Sequence, residues 1–473
     1  MVKRLPEPGS LELWRRKRFQ QICPELDLPR ASPLILNLIG SQSGADVYYE
    51  IRALHTEGSA VNLFYKNLLS SAAESSSELI KRLASNDYSF DYVVLGSGPH
   101  GAAAAQVISE SDPGASVLIV DQNQLGGQFA SYGLIRPVFK INSGATTDVD
   151  LNPLGPNPML RVQDITSELY PTNQDLGRVT ATNSFFAGAT GILLQTRVEE
   201  ISEELKEVDG VNGVMLTLSG GGQTFKVHSK MVINASGLGS PIKDAISAVS
   251  ITPPEFFIHF ANGSNRNPME KFKYTDVAVT GKGDTGKVII ELLGRVNNPS
   301  AYAGASTSQT PPPVKIYWIG CDWATKHEFV KQENLRYASL GALMPNYEGD
   351  KSTMIQPVPG RLIEAVQLEN GKLRLVTDKG HEVVVDHHID ARGLVSDSST
   401  SVGTNEKLLG PDGEPIGAVL GRRHLGVGPC AKLDIHPRGR VLARQHNISP
   451  VALLPTMDRT VAAVRTVSHA LLD

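Results

Sequence analysis

Residues 93–101 read VVLGSGPHG and residues 277–286 read VAVTGKGDTG, and in each a run of β-branched and apolar residues leads into G-x-G-x-x-G. The first copy sits in a strand, turn, helix, strand succession: FDYVVLGSGPHG (90–101), the alanine-rich AAAAQVISES (102–111) and ASVLIVDQ (115–122). That succession predicts a βαβ unit. Gly96 permits the tight turn, Gly98 lets the backbone approach a pyrophosphate, and Gly101 allows the helix to pack on the strand, with Pro99 at the helix start. Asp121 ends the second strand at the spacing expected of an acid that hydrogen-bonds a ribose hydroxyl. His100, inside the motif, reads as a tolerated loop residue without chemistry.

The second copy has DVAVT (276–280) before it and KVIIELLGR (287–295) after it, then a Pro/Ser/Gly-rich insertion over 296–313 ahead of VKIYWIGCD (314–322). Gly281, Gly283 and Gly286 repeat the loop geometry, with Asp284 between them, so a second dinucleotide is the direct inference. Each loop is followed by its own alternating stretch with glycine turns. Residues 197–237 end in NASG and residues 361–393 end in DARG, so two copies of one nucleotide-binding architecture are expected, each a Rossmann-like unit with a β-meander.

Composition bounds the rest. At 473 residues, 41% hydrophobic and 20% charged, the chain has the balance of a soluble globular protein of about two or three domains. A net charge of −4 offers no basic excess for nucleic acid, and no apolar run is long enough for membrane insertion. Three well-separated cysteines, Cys23, Cys321 and Cys430, provide neither a zinc cluster nor a dithiol, so no metal is expected and the odd count suits a reducing, cytoplasmic setting. The start, MVKRLPEPGSLELWRRKRF, reads as a solvated amphipathic helix. Within residues 60–85, Leu63, Leu68, Leu79 and Leu83 recur near helical period, which makes residues 1–88 an N-terminal helical extension.

GSGPHGAAAA (96–105), Asp121 and LGGQFASYG (125–133) resemble the front end of the two-dinucleotide-binding-domain flavoproteins, which include thioredoxin-reductase-like enzymes, flavin-containing monooxygenases and amino-acid N-hydroxylases. The resemblance covers roughly residues 90 to 473. It implies an α/β fold with FAD held by a domain of residues 89–272 and 386–473, and NADPH or NADH held by an inserted domain of residues 273–385. By position, Gly127 and Gln128 would lie beside the diphosphate or flavin, Val198 would touch the adenine through its backbone, and Gly237 and Gly393 would close the segments that cross between domains. Asp322 would favour NADH, Lys326 NADPH; the resemblance leans to NADPH.

The resemblance further implies an FAD-dependent NAD(P)H oxidoreductase, with a monooxygenase acting on a small soluble substrate as the leading reaction type. A reductase or dehydrogenase passing electrons to a protein or small acceptor is the alternative. A monooxygenase fingerprint expected ahead of the second loop is not intact: in FFIHFANG (256–263) His259 is present at a different spacing. Asn142 and Ser143 in RPVFKINSG (136–144) are candidates for substrate or nicotinamide contact, and Thr456 to Arg459, opening the last helix, for contact near the flavin. The extension either closes over the substrate pocket or mediates a homo-oligomer contact.

Overall fold

The computed structural model describes residues 11–22, 58–127, 173–208, 211–237, 240–253, 255–256, 270–281, 284–297, 314–321, 352–395, 406–431 and 454–472. The first glycine motif lies in the largest sheet among the described residues, a mixed sheet whose centre is parallel. Its strands are β1 (Tyr88–Leu95), β2 (Val117–Val120), β3 (Gly191–Leu193), β4 (Thr196–Val208), β5 (Val211–Gly220) and β6 (Gln223–Asn234), and the order β6-β1-β2-β3 is parallel throughout. Every residue of β1 is buried, as a central parallel strand covered on both faces requires. Tyr92 and Val94 face one core with Val117 and Ile119, while Val93 and Leu95 face another with Leu118 and Val120.

The first core is covered, besides the sheet, by α1 (Leu11–Ile22), the front of α2 (Gly58–Ala84), α3 (Pro99–Ser111), α4 (Asn173–Phe185) and the chain's last helix. The second is covered by the end of α2 and the meander β4–β5–β6. Helix α2 therefore runs along the sheet edge from one face to the other, and Ser76 Oγ receives a 2.8 Å hydrogen bond from Leu194 N just beyond edge strand β3. Covering an edge in this way removes a row of unpaired backbone groups from solvent. The helical period expected of α2 holds for Leu68, Leu79 and Leu83, whereas Leu63 is 50% exposed and Phe64 and Tyr65 take the inward positions. Nor is α1 a solvated helix: Phe19 and Ile22 are buried in the first core, and Arg15 Nε donates to Phe186 O at 3.0 Å.

The second glycine motif follows β8 (Val277–Thr280) in a four-stranded parallel sheet with β9 (Ile316–Ile319), β10 (Ile355–Val358) and β14 (His387–Asp390), in the order β14-β8-β9-β10. This repeats β6-β1-β2-β3 strand for strand. The meander is repeated too, by β11 (Leu362–Gln367), β12 (Leu373–Thr377) and β13 (Glu382–Val385). One strand, β6, serves both meander and sheet in the first unit, whereas β13 and β14 are separated at Asp386 in the second. Helix α5 (Asp284–Asn297) packs Val288, Ile289, Leu292 and Leu293 against Val277, Val279, Ile316 and Trp318.

The second unit extends past both ends of the span 273–385 expected from the sequence. Phe256 and Phe272 are fully buried in the second core, and Ile246 packs with Ala278 and Ile319, so the chain has entered the second unit well before residue 273. Strand β14, expected to belong to the resumed first domain from 386, pairs with β8 instead. The two passages run side by side: β7 (Ser240–Pro241) pairs antiparallel with β15 (Leu394–Val395). Arg392 clamps them, with its guanidinium bidentate on Asp244 at 2.9 and 2.8 Å and on Asp390 at 2.8 and 2.7 Å.

The chain then returns to the first sheet through β16 (Glu406–Leu409), β17 (Pro415–Gly421) and β18 (His424–Gly426), the last parallel to β6, and ends with α6 (Leu454–Leu472), which packs Val461, Ala463 and Val464 into the first core. No helix among the described residues is long and apolar enough to cross a membrane.

Candidate functional site

The three glycines of the first loop do different things. Gly96 has φ +102°, and a Cβ there would lie 2.6 Å from Ala235 O; Gly101 would place one 1.8 Å from Gly96 O. Both are demanded by the fold itself, the first by the turn and the crossing of β6, the second by the packing of α3 on the loop. Gly98 is demanded by neither. It caps α3 at φ −71° and ψ −175°, a conformation open to any residue, and a Cβ there would meet nothing within 4 Å among the described residues. Helix α3 begins with Pro99 and has no side-chain cap, so its first N–H groups are left to some other acceptor in the same open space.

Ser97, which carries no motif signal of its own, holds this loop together. It is fully buried, and its N and Oγ both donate to Asp121 Oδ2, at 2.6 and 2.7 Å. Its Oγ accepts from Gly126 N at 3.1 Å, and its carbonyl accepts from Ser184 Oγ of α4 at 2.6 Å. The turn at Gly126 and Gly127 is thereby drawn onto the loop, so closely that a Cβ on Gly127 would come 2.9 Å from the Gly98 Cα. Asp121 Oδ1 accepts from Asn123 N at 2.8 Å, and burial raises the carboxyl's pKa against the lowering effect of these bonds. Thr196 N donates to Asp121 O at 3.0 Å, which starts β4, with Val198 on it, directly beside the acid.

His100 is not a loop residue but lies in the first turn of α3, 5% exposed. Its Nδ1 is 2.9 Å from Thr460 Oγ1 of α6, and Gly428 packs against the ring so closely that a Cβ there would fall 2.6 Å from its Cγ. Nε2 is buried without a hydrogen-bond partner among the described residues, and burial pushes the ring down to about 4, so it is neutral at pH 7. The last helix thus meets the motif through Thr460, one position past the stretch 456–459 singled out from the sequence. Beside Gly428, Cys430 Sγ lies 2.7 Å from Asn234 O and 2.9 Å from Val427 O, which share its one S–H donor, and burial pushes its thiol up to about 11.

The second loop reproduces the backbone geometry of the first at Gly281 and Gly286. Gly281 has φ +129°, and its Cβ would lie 2.1 Å from Ala391 O; Gly286 would place one 2.4 Å from Gly281 O. Ala235 N donates to Leu95 O at 2.8 Å, and Ala391 N donates to Thr280 O at 2.8 Å. The NASG and DARG segments correspond as well: Asn234 Oδ1 accepts from Ser236 N and Asp390 Oδ1 from Arg392 N, and Gly237 and Gly393 both have positive φ. Trp318 Nε1 props the second loop from below, donating to Gly281 O at 2.9 Å. Asp284 opens α5. Beneath Thr280, the imidazole of His388 spans Thr280 Oγ1 at 2.8 Å and Ser250 Oγ at 2.6 Å.

Gln128, Asn142, Ser143, His259, Gly283, Asp322 and Lys326 lie outside the described residues. The structure therefore brings together Gly96, Gly98, Pro99, Gly101, Asp121 and Gly127 in one loop cluster, and Gly281, Gly286 and Asp284 in a second.

No family model matches the chain, and no curated protein matches it. Solved structures do. An ornithine N-hydroxylase from Kutzneria sp. 744, whose structure holds reduced FAD, NADP+ and L-ornithine, is 12% identical over 81% of this chain and 100% of its own, with a TM-score of 0.50. A flavin-containing monooxygenase from Stenotrophomonas maltophilia is 15% identical over 81% of this chain and 99% of its own, with a TM-score of 0.48. A thioredoxin reductase from T. acidophilum is 14% identical over 81% and 99%, with a TM-score of 0.45. The chain has the fold of the two-dinucleotide-binding-domain flavoproteins.

Proposed function

We propose that the chain is an FAD-dependent oxidoreductase in which the first glycine loop holds FAD and the second holds the NAD(P)H that reduces it. The observation that carries this reading is Gly98. Its conformation, and its packing among the described residues, leave room for a side chain there, so on this reading the glycine is accounted for by a group that comes close to the backbone from outside. A pyrophosphate is the group that suits uncapped helix N–H donors and the positive end of a helix dipole. Asp121 supports the same placement. A carboxylate has about four acceptor sites; three bonds reach this one, two on Oδ2 and one on Oδ1, which leaves a position on Oδ1 for a ribose hydroxyl.

Bound FAD supplies the redox chemistry, and the protein's part is to bind and orient both nucleotides and to govern access. Among the described residues the two thiols do not support a disulfide acceptor: Cys321 is buried in the second core, and Cys430 is held protonated against backbone carbonyls. Oxygen or a small molecule is then the electron acceptor, and within that class we assign monooxygenation of a small substrate. The test is anaerobic reduction by NADPH followed by rapid mixing with oxygen. A long-lived absorbance distinct from both oxidised and reduced flavin is expected of an oxygenase. Direct return of the oxidised spectrum would replace that reading with a reductase or dehydrogenase, and leave the FAD assignment standing.

A further inference from the structure

Arg18 projects from α1 into the covered edge of the first sheet and sits over two rings, 4.6 Å from the centroids of both Trp14 and Phe185. Among the described residues its guanidinium has no hydrogen bond and no ion pair. Burial lowers its pKa, and no neighbouring charge opposes that shift. It remains a cation at pH 7, half-buried against two rings and with no carboxylate among the described residues to balance it.

A cavity of about 260 Å3 opens beside it, lined by Arg18, Ser75, Glu78 and Arg82 together with Thr190 and the start of β3. Arg82, in the last turn of α2, likewise has no hydrogen bond or ion pair to its side chain among the described residues. Thr190 Oγ1 accepts from Val117 N at 3.1 Å, so its hydroxyl proton is free to be donated into the cavity. Ser75 offers a second hydroxyl. Two arginines against one carboxylate, Glu78, leave the lining net positive, and its spare groups are almost all donors. The planar N–H fork of an arginine matches the paired oxygens of a phosphate or carboxylate.

We propose that this cavity is a binding site for a small oxyanion, with Arg18 as its principal counter-charge and Arg82, Ser75 and Thr190 as further donors. It uses none of the residues assigned to either nucleotide, and it gives the N-terminal helices a purpose beyond covering the sheet edge: they carry three of the four donors.

The experiment compares the full chain with Arg18→Met, by thermal melting in sodium phosphate, sodium citrate or sodium chloride at matched ionic strength. Phosphate or citrate is expected to raise the wild-type midpoint with a saturable dependence, and the apparent affinity of Arg18→Met to be at least tenfold weaker, as loss of a charge-assisted pair entails. Phosphate taken up by the glycine loop shifts both proteins alike and drops out of the difference. The better of the two anions identifies the ligand as a phosphate or a carboxylate. Trp14, in contact with Arg18, gives a second readout: its fluorescence should titrate with the same midpoint, and Trp14→Phe should abolish the change. If Arg18→Met does not fold, Arg82→Gln and Thr190→Val are compared in its place, each expected to weaken the anion several-fold. Equal responses of wild type and variants, or none beyond that to chloride, would overturn the proposal.

Discussion

Replacing Gly98 with alanine separates what the glycine loop does for the fold from what it does for a ligand. At φ −71° and ψ −175°, with nothing among the described residues within 4 Å of the added Cβ, the substitution introduces neither strain nor a clash with them. Removing a glycine from a tolerant position stabilises by about 0.4–1 kcal/mol through the unfolded chain. Alanine is a poorer helix N-cap than glycine by roughly as much. The apoprotein should therefore melt within about 0.5 kcal/mol of wild type. Gly96→Ala is the contrasting case: φ +102° and a Cβ 2.6 Å from Ala235 O combine backbone strain with a collision that only main-chain movement relieves. Its cost should be at least ~3 kcal/mol. Cofactor binding should invert the order of harm. A methyl group on Gly98 occupies the space a pyrophosphate needs, and losing one charge-assisted hydrogen bond or two costs ~1.5–3 kcal/mol each, which is about 10- to 100-fold or more in affinity. Denaturant melts of the apoproteins and titration of FAD by quenching of its fluorescence measure both quantities. A Gly98→Ala protein that folds normally and binds FAD as tightly as wild type would refute the reasoning.

Damage to the second loop should leave the flavin in place: Gly283→Leu is expected to retain FAD and reduction by dithionite while bleaching by NADPH and NADH slows by orders of magnitude, followed by stopped-flow absorbance. Ser97→Ala removes the hydroxyl that ties the loop to Asp121 and Gly126, and should cost about 1–3 kcal/mol of stability in urea melts, together with weaker FAD binding. Arg392→Leu strands the Asp390 carboxylate, 7% exposed, at the crossing between the units, and a loss of ~3 kcal/mol is expected from the same melts. His100, His388 and His424 are each pushed down from 6.5 to about 4 by burial. The unfolded chain binds their protons below pH 6.5 and the folded chain only below about 4, so stability is complete above pH 6.5 and falls as the pH drops from 6.5 towards 4, by up to ~3 kcal/mol per histidine. Replacing His388 with glutamine should remove one proton from the uptake measured by melts across that range.

The repeat that organises the molecule was legible because each copy is written in residues with few alternative meanings. Val93–Leu95 and Val277–Val279 are continuous apolar runs that suit only a doubly covered strand, and Gly96, Gly101, Gly281 and Gly286 sit where any Cβ would strike the backbone. The crossings were not legible, because the signal for entering a core is packing rather than pattern. Phe256 opens the short apolar run FFIHF and Phe272 stands among charged residues, and only the fold brings their rings together in the second core, tilted with centroids 5.3 Å apart. Ser97 was hidden by being an "x" of its motif: its role depends on Asp121, Gly126 and Ser184 arriving from other elements. His100 was misread for a related reason, since the motif's last residues are already helix and the ring is buried by Gly428 and Thr460, more than 300 residues away. Arg18 looked like one more charge on a basic helix until Trp14 and Phe185 were found around it.

The central claim, that one loop holds a flavin and the other the nucleotide that reduces it, is tested most directly by titrating the FAD-loaded protein with NADPH or NADH under anaerobic conditions while following the visible flavin absorbance. The expected result is a yellow protein bleached in proportion to the nucleotide added, with one equivalent reducing one flavin. A folded protein that takes up no FAD, or a bound flavin that stays oxidised with both nucleotides, would contradict it.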